Sequence, residues 1–439
     1  MVLSGVIGII ADDLTGANDT ALQFFLKGSN TEILFDANSE LINHGNVGTW
    51  AVSTESRNID KNLAAKLVFD TTVGFLENLN VEYFYKKIDS TLRGNISYEI
   101  LAMLDATKKD AALVAPAYVQ EGRITIGGYQ MSKGVPIERS DVARDPQAPI
   151  YESYIPDILK RSLSDEGKEL IGSVELNVIT KGAGPIAQRL NELISAGKKI
   201  IVADSVSLVD LEQIVLAMQK CNYDILPCGS AGLAQALAPV WLGEVKTNQT
   251  TKTVPMLPKL ILSGSASSIS SMQIQKLQNE DDFLDNSYFI SLTLKDIISG
   301  LQENIVKRVV DNLVKDNIVC VHVCDLGEEV KSEAGNSTLI DEGITKEVLA
   351  QKITEYLAQL AQEVRKRSQF ILITIGGETS QTCCSKIEAG YLQVVDAILP
   401  AIPLCIDSNA QFIVTKSGNV GNSGTLIDII RYFGHHEKI

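Results

Sequence analysis

The fold is decided by residues 6–20, which read VIGIIADDLTGANDT. The apolar run at residues 6–11 is typical of a buried strand, and the amphipathic spacing at residues 19–27 predicts a helix after it. A buried strand that passes through a polar turn into a helix begins a βαβ unit. The same alternation of short β-branched runs and longer helical segments continues along the chain. It predicts an α/β protein with mostly parallel sheets.

Further elements follow from the same pattern. Helices are predicted at residues 98–106 and 426–432. Residues 120–150 contain Gly, Pro and charged residues without clear periodicity, and we expect a functional loop there because long irregular segments within domains are usually functional. Additional strands are predicted at residues 31–35, 49–53, 83–88, 111–115, 170–180, 199–203, 260–263, 288–292, 318–323 and 370–375.

A change of composition divides the chain. Its 439 residues suggest two or three domains, at roughly 150 residues for each domain. Residues 243–258 are polar, rich in Thr and closed by prolines, which is typical of a linker. We therefore predict one α/β domain at residues 1–242 and a second at residues 259–439.

Composition and charge exclude several classes of function. Lys and Arg total 39 against 54 Asp and Glu, a net charge of −15, and there is no basic run, so no nucleic-acid partner is expected. The first residues lack the charged region and the cleavage site of a signal peptide, and no apolar stretch approaches the about 20 residues of a membrane helix, so we expect no membrane partner. Seven cysteines in so long a chain imply no disulfide framework. We expect a cytoplasmic protein; its metal ligands are unidentified and homo-oligomerisation stays open.

Paired carboxylates follow the first strand. Asp12 and Asp13 stand where that strand ends, and Asp19 follows shortly after. Ligands of open α/β sheets bind at the carboxyl ends of strands. Adjacent carboxylates repel each other and need hydroxyls, backbone N–H groups or a cation as partners. A polyol substrate would supply the hydroxyls, whereas the alternative is a helix cap.

Basic residues follow two later segments. Lys87, Asp89 and Arg93 lie at another strand end, and Arg93 precedes a glycine, which exposes a guanidinium suited to a carboxylate. The alternative is a structural ion pair of Arg93 with Asp89 or Glu99. Arg123 lies in a turn and is a further candidate for binding an anion, although an ordinary surface loop explains it equally well.

The second half contains three Gly-rich turns that each precede a helix. Glycines let the backbone approach a phosphate closely, and helix N-terminal N–H groups and small hydroxyls then bind its oxygens. Each turn alone is also compatible with an ordinary βα connection. The candidate nucleotide-binding residues are Ser265, Ser267, Gly376, Gly377, Glu378, Thr379, Lys416, Gly418 and Gly421.

Several signatures are missing from the sequence. It has no P-loop, no protein-kinase motif set and no complete Gly-x-Gly-x-x-Gly after the first strand, which disfavours a dehydrogenase. The four histidines, His44, His322, His435 and His436, lie in a polar loop, in an apolar strand and in the tail. We therefore expect no histidine-based acid–base catalysis.

Taken together, the motifs carry a family resemblance over nearly the whole chain. The sequence resembles the four-carbon acid sugar kinase family, formerly a domain of unknown function. The matching motifs are ADDLTGA at 11–17, KIDSTLRGN at 87–95, PAY at 116–118 with Gly122-Arg123, Asp145-Pro146 before Glu152-Ser153, GSAGL at 229–233, and the three Gly-rich turns in order.

The resemblance implies ATP-dependent phosphorylation of the C4 hydroxyl of a four-carbon sugar acid. It implies an N-terminal domain for the acid sugar and a C-terminal domain for ATP, and phosphoryl transfer implies Mg²⁺ as well. Asp12, Asp13 and Arg93 would hold the substrate, with Asp13 as the candidate base. Ser265, Ser267 and the turns at 376–379 and 418–421 would hold the nucleotide.

The resemblance also narrows the choice of substrate. Residues 16–20 look more like those of D-threonate and D-erythronate kinases than those of 3-oxo-tetronate kinases. Glu378 stands where the family commonly has Asp, and Ala401 where it often has Gly. The alternatives are a 3-oxo-tetronate 4-kinase and a non-catalytic ligand-binding protein on the same scaffold.

Overall fold

The chain forms two compact units, residues 1–249 and 250–439. The sequence predicted domains at residues 1–242 and 259–439 with a linker at residues 243–258. These limits stay predictions, because residues 244–253 lie outside the described part of the chain. So do His44, Asp145, Pro146, Cys324 and His436. The computed structural model describes residues 5–35, 47–140, 143, 148–243, 254–265, 267–315, 318–323, 326–332, 335, 339–340 and 342–435.

The first unit contains a parallel sheet and a small antiparallel one. Its strands are β1 (Val6–Ala11), β2 (Thr31–Leu34), β3 (Thr49–Ser53), β4 (Val81–Lys87), β5 (Ala111–Ala115), β6 (Arg123–Ile126), β7 (Tyr129–Ser132), β8 (Val135–Pro136), β9 (Ile171–Val174), β10 (Ile200–Ala203) and β11 (Ile225–Gly229). Its helices are α1 (Leu14–Phe25), α2 (Lys61–Asn78), α3 (Ile96–Thr107), α4 (Ile155–Lys160), α5 (Asp165–Lys168), α6 (Leu176–Ile179), α7 (Ala183–Ser195), α8 (Leu208–Lys220) and α9 (Ala231–Leu242).

The large sheet of the first unit has the order β2-β3-β1-β4-β11-β5-β10-β9, and all of these pairings are parallel. Strands β1, β3 and β5 have the limits predicted from the sequence. Their residues are almost all apolar and buried, as expected of strands covered on both faces.

Three local predictions for the first unit were wrong. Helix α1 begins at Leu14 rather than at residue 19, because Asp13 caps it by accepting a hydrogen bond from the Gly16 N–H. Residues 170–180 are not one strand, since β9 ends at Val174 and α6 follows. The segment 120–150 is not simply irregular, because its first half forms the antiparallel sheet β6-β7-β8, whose strands of two to four residues are too short for clear periodicity.

The second unit has one mixed sheet. Its strands are β12 (Lys259–Ser263), β13 (Ser287–Ser291), β14 (Ile318–His322), β15 (Ile371–Ile375), β16 (Tyr391–Leu399), β17 (Ile402–Asp407) and β18 (Phe412–Lys416). Its helices are α10 (Ser268–Gln278), α11 (Leu294–Ser299), α12 (Glu303–Leu313), α13 (Leu326–Lys331), α14 (Lys346–Arg365), α15 (Gly377–Lys386) and α16 (Thr425–His435).

The strand order of the second unit is β13-β14-β12-β15-β18-β17-β16. The first five strands are parallel, and β17 and β16 add an antiparallel edge that the sequence did not predict. Helices α10 and α16 pack on the sheet, where Ile274, Leu277 and Leu426 join the buried strand residues in the core. The predicted fold, α/β with mostly parallel sheets, is confirmed.

Three further observations concern the whole of the described chain. None of its helices combines the length and the apolar character that crossing a bilayer requires. The six described cysteines are free thiols. His322 is buried in β14.

Candidate functional site

The site in the first unit follows from the order of three neighbouring strands. Strand β1 lies between β3 and β4, and all three run parallel, so their carboxyl ends share one edge of the sheet. The residues that follow these ends are Asp12 and Asp13 after β1, residues 54–57 after β3, and residues 88–95 after β4. The structure therefore brings together polar residues that are far apart in the sequence.

Arg57 bridges the two adjacent carboxylates. Its Nε lies 2.7 Å from Oδ2 of Asp12 and its Nη2 lies 3.0 Å from Oδ1 of Asp12. Its Nη1 lies 2.8 Å from Oδ2 of Asp13. This guanidinium supplies the cation that two buried, repelling carboxylates require.

Asp13 caps a helix, which is the structural alternative that the sequence left open, and its proposed role toward a substrate stays a prediction. Its Oδ1 accepts a hydrogen bond from the Gly16 N–H at 2.9 Å and caps α1, while Oδ2 accepts from Thr15 Oγ1 at 2.9 Å. Burial alone raises the pKa of the Asp13 carboxyl, but the charges of Arg57 and Lys87 outweigh it and hold the pKa below its usual value. Asp13 is therefore a carboxylate at neutral pH.

Asp89 and Arg93 form the ion pair that the sequence offered as the structural alternative. Arg93 Nε lies 2.5 Å from Asp89 Oδ2, and Thr91 Oγ1 donates to the same oxygen at 2.6 Å. Burial raises the pKa of Asp89, but Arg93 and Arg57 bring it well below the usual range. The other proposed partner, Glu99, is paired with Lys86 at 2.8 Å.

Lys87 points toward the start of α1. A Cβ built on Gly16 would lie 2.7 Å from Lys87 Nζ and 2.5 Å from Asp13 Oδ1, so a side chain at this position would displace the ammonium or the carboxylate. The Lys87 side chain is buried. It makes no ion pair within 4.0 Å in the described ranges.

Arg123 begins β6 and reaches the same region. Its Nη1 donates to Ser90 Oγ at 2.5 Å. The hairpin that carries it is fixed to the 88–95 segment, because Gln130 Nε2 donates to the Ser90 carbonyl at 2.7 Å. Asp204 stabilises the turn between β6 and β7, because its carboxylate accepts hydrogen bonds from the N–H groups of Gly127 and Gly128.

Asp19 lies beside these two cations. Tyr118 donates its hydroxyl to Asp19 Oδ1 at 3.3 Å. Burial raises the pKa of Asp19 to about 6, although the charges of Lys87 and Arg123 act in the opposite direction. The Asp19 carboxyl therefore titrates just below neutral pH.

Glu55 is an additional carboxyl of the site. Its backbone has a left-handed φ of 47°, and its Oε1 accepts from the Leu14 N–H at 3.1 Å and from Ser53 Oγ at 2.5 Å. Burial raises the pKa of Glu55 to about 7, and the negative charge of Asp13 adds to the effect. An ionised Glu55 would add a third negative charge next to Asp12 and Asp13.

Replacing Glu55 with glutamine is expected to change how stability depends on pH. The raised pKa means that the folded protein keeps the Glu55 proton to about pH 7, whereas the unfolded chain loses it near pH 4.5. The contribution of the Glu55 carboxyl to stability is fully present below pH 4.5 and is lost as the pH rises through 7. Glutamine keeps the acceptor oxygen but does not titrate. Between pH 5 and pH 8, the free energy of unfolding of the wild type should fall by about 1–3 kcal/mol relative to that of E55Q.

The measurement is urea unfolding followed by tryptophan fluorescence. The chain has two tryptophans, Trp50 and Trp241, and both belong to the first unit, so the signal reports on that unit alone. The exposed Glu77 of α2 provides the control variant E77Q, which should follow wild type at every pH. If the free energies of unfolding of E55Q and wild type changed with pH in the same way, the prediction would be wrong.

In the second unit, the three Gly-rich turns meet. They follow β12, β15 and β18, which are adjacent and parallel. Ser267 Oγ donates to the Gly418 carbonyl at 2.8 Å, and the Gly376 N–H donates to the Lys416 carbonyl at 2.9 Å. A Cβ on Gly418 would overlap Ser265 Oγ. The turns therefore pack directly against one another.

The residues of these turns contribute in different ways. Ser267 caps α10, and Lys416 is fully buried with its Nζ donating to the Ser417 carbonyl at 2.8 Å, so both hold the turns together. Gly421 packs against Thr425 at the start of α16. Helix α15 starts at Gly377 without a side-chain cap, Thr379 is buried in its first turn, and Glu378 is exposed there. Uncapped helix N–H groups favour a bound anion.

Comparison with known proteins agrees with this division. A model described as a sugar-binding N-terminal domain matches residues 7–237, and one described as a nucleotide-binding C-terminal domain matches residues 260–426. The chain belongs to the four-carbon acid sugar kinase family. This family membership confirms the resemblance predicted from the sequence.

Members of the four-carbon acid sugar kinase family match this chain from end to end. A D-erythronate kinase of Heliobacterium modesticaldum is 28% identical, with 98% of this chain and 97% of the relative covered. A D-threonate kinase of Salmonella typhimurium is 27% identical, with 97% of each chain covered. A crystal structure of a Haemophilus influenzae protein superposes with a TM-score of 0.72 at 23% identity, covering 97% of this chain and all of the other.

Sequence reasoning missed Arg57 and Glu55. The signal was nevertheless present, because the stretch Ser53-Thr54-Glu55-Ser56-Arg57 directly follows a predicted strand and contains one acid and one base. The rule that sites lie at the carboxyl ends of parallel strands applies to it as well. The roles predicted for individual residues of this four-carbon acid sugar kinase family member stay predictions.

Proposed function

We propose that this chain transfers the γ-phosphoryl group of ATP to the C4 hydroxyl of a four-carbon sugar acid, D-erythronate or D-threonate. The observation that carries the proposal is the division of chemistry between the units. The first unit holds a cluster of carboxylates and cations beside one sheet edge, and the second brings three Gly-rich turns together. The names of the two kinase relatives supply the substrate class.

The sugar acid is proposed to bind in the first unit, where the charges suit both of its functional groups. Its hydroxyls would donate to Asp12 and Asp13, whose mutual repulsion Arg57 offsets. The candidates that the sequence predicted for binding its carboxylate are the cations Lys87, Arg93 and Arg123. Each such charge-assisted hydrogen bond is stronger than a neutral one.

The transfer step requires an acceptor for one proton. The C4 oxygen attacks the γ-phosphorus, an oxygen–phosphorus bond forms, and the bond from the γ-phosphorus to the bridging oxygen of ADP breaks. The hydroxyl proton passes to a carboxylate, for which we propose Asp13. Its lowered pKa keeps it ionised at neutral pH, and its side chain is more accessible than that of Asp12, with 15% exposed against 3%.

ATP is proposed to bind at the three Gly-rich turns of the second unit. The N–H groups at the start of α15 and the hydroxyl of Ser265 would contact phosphate oxygens. In the part of the chain that the structure describes, no three His, Cys, Asp or Glu side chains are arranged to hold a metal ion. Mg²⁺ would be held mainly by the nucleotide phosphates and water. Mg²⁺ would supply charge neutralisation on those phosphates.

The test is a coupled ADP-release assay with ATP and Mg²⁺. The panel contains D-erythronate, D-threonate, their L isomers and the 3-oxo-tetronates, with ATP alone as the blank. We expect turnover of D-erythronate or D-threonate above the blank, and a ³¹P spectrum that places the phosphate on C4. Binding of ATP without turnover of any member would refute the proposed substrate class, and turnover of a 3-oxo-tetronate alone would replace it with that alternative.

A further inference from the structure

We infer that Arg123, together with Lys87, binds the carboxylate of the sugar acid, and that Arg93 is a positioning residue. The inference rests on the proposed function and specifies which cations recognise the acid group. Three guanidinium groups and two ammonium groups lie near this edge of the sheet: Arg57, Arg93, Arg123, Lys86 and Lys87. Only a cation that is not already matched by a carboxylate of the protein is suited to bind one from the substrate.

Three of the five cations are matched by carboxylates of the protein. Arg57 bridges Asp12 and Asp13 with three of its nitrogens. Lys86 is completely buried and pairs with Glu99. These pairs hold buried charges together, and removing one partner from such a pair is strongly destabilising.

Arg93 is the third matched cation. Its Nε and its backbone N–H both point at Asp89 Oδ2, at 2.5 Å and 3.3 Å. Together with Thr91, it closes the turn around that carboxylate, and Ser90 lies inside the same turn. Arg93 therefore fixes the turn on which Ser90 is presented to Arg123.

Arg123 differs from these three. Its Nη1 donates to a neutral hydroxyl, Ser90 Oγ, and it makes no ion pair within 4.0 Å in the described ranges. Its Nε is buried from solvent and has no hydrogen-bond partner in the same part of the chain. A buried N–H donor without a partner is destabilising, and an anionic oxygen of a ligand would satisfy it.

Lys87 is the second unmatched cation, and its Nζ lies beside Gly16 in the first turn of α1, the helix that carries Asp19. Its charge and that of Arg123 both act on the buried carboxyl of Asp19, so both cations lie near that carboxyl. A carboxylate bound there would accept from the Lys87 ammonium and from the Arg123 fork. The hairpin anchored by Gln130 and Asp204 holds Arg123 in place before the ligand arrives.

The test compares an acid with its uncharged amide. Dissociation constants of D-erythronate and D-threonate, and of the corresponding primary amides, are measured by calorimetry without nucleotide. In Arg123→Gln, binding of the acid should weaken about 30-fold, as expected for losing a charge-assisted bond, while binding of the amide changes less than about 3-fold. The control is Arg139→Gln, because Arg139 is exposed and pairs only loosely with Glu138 in the described structure.

Two further variants complete the test. Arg123→Lys keeps the charge, and its dissociation constant for the acid should lie between those of wild type and Arg123→Gln. This variant tests the inference even if the glutamine substitution disturbs the fold. Arg93→Gln should weaken acid and amide equally and lower kcat for both, as expected of a positioning residue. Tryptophan fluorescence checks that the first unit of each variant is folded.

The outcomes separate this inference from the proposed function. Unchanged binding of the acid in Arg123→Gln, or equal weakening of acid and amide, would overturn the carboxylate assignment while leaving a kinase active on sugar acids. Selective loss of the acid in Arg93→Gln alone would reassign the clamp to Arg93. If wild type neither binds nor phosphorylates either acid, the proposed function itself fails.

Discussion

Replacing Asp13 with asparagine is expected to lower kcat for the sugar acid about 100-fold or more, since a positioned proton acceptor contributes roughly 10²–10⁴ to a rate. Asparagine with its oxygen in the place of Oδ1 can still accept from the Gly16 N–H, so the cap of α1 is preserved, whereas the amide nitrogen in the place of Oδ2 cannot accept from Thr15. What it loses is the negative charge and the ability to take the hydroxyl proton. The measurement is kcat in the ADP-release assay, with the melting temperature recorded alongside.

A matched control is available on the next helix. Asp60 caps α2 by accepting from the N–H groups of Asn62 and Leu63, and it is exposed. The variant D60N makes the same chemical change at a helix N-terminus outside the site and should keep the wild-type kcat. If D13N turned over at a rate close to wild type, Asp13 would not be the proton acceptor.

Replacing Arg57 with methionine is expected to destabilise the first unit by about 3 kcal/mol at pH 7, the range found when one partner of a buried ion pair is removed. Methionine retains most of the apolar volume and removes the charge. Asp12 and Asp13 would then face each other without their shared cation. Urea unfolding followed by the fluorescence of Trp50 and Trp241 measures the loss.

The pH dependence identifies the cause of that loss. In wild type, the lowered pKa of Asp13 stabilises the fold above the ordinary value of 3.8, and this stability is lost as the pH falls through the folded-state pKa. Without Arg57, burial and repulsion dominate, so protonation relieves the strain in R57M. The deficit of R57M against wild type should therefore shrink between pH 7 and pH 4.

A network of solvent-exposed ion pairs around Arg367 provides the control for R57M. Arg367 also contacts two carboxylates, Glu303 and Glu363, but all three side chains are open to solvent. The variant R367M should change stability little at either pH, because exposed ion pairs contribute little. A deficit in R57M that does not change with pH would mean that packing, not charge, accounts for the role of Arg57.

The sequence predicted most of what depends on neighbouring residues. The apolar runs of β1, β3 and β5 specify buried strands by themselves, and the Gly-rich turns are recognisable because each follows such a run. The family resemblance supplied the order of the two domains. Local chemistry also predicted that Asp12 and Asp13 need hydroxyls, backbone N–H groups or a cation as partners, although it did not identify Arg57 as that cation.

What the sequence could not provide depends on strand order. Arg57 lies 45 residues from Asp12 along the chain, and the two meet only because β3 and β1 are neighbours in the sheet. Hydrophobic periodicity reports burial, not which strands pair. The same reason explains Arg123, whose contact with Ser90 depends on a hairpin built from strands too short to show a period.

The close packing of the three Gly-rich turns limits how this protein can diversify. A methyl group on Gly264 would overlap Thr379, and one on Gly418 would overlap Ser265, so neither position tolerates a side chain without displacing another turn. Substitutions at these two glycines are therefore expected to disturb the arrangement of the turns. Glu378, which is exposed at the start of α15, can change without the overlap that a side chain at either glycine would cause.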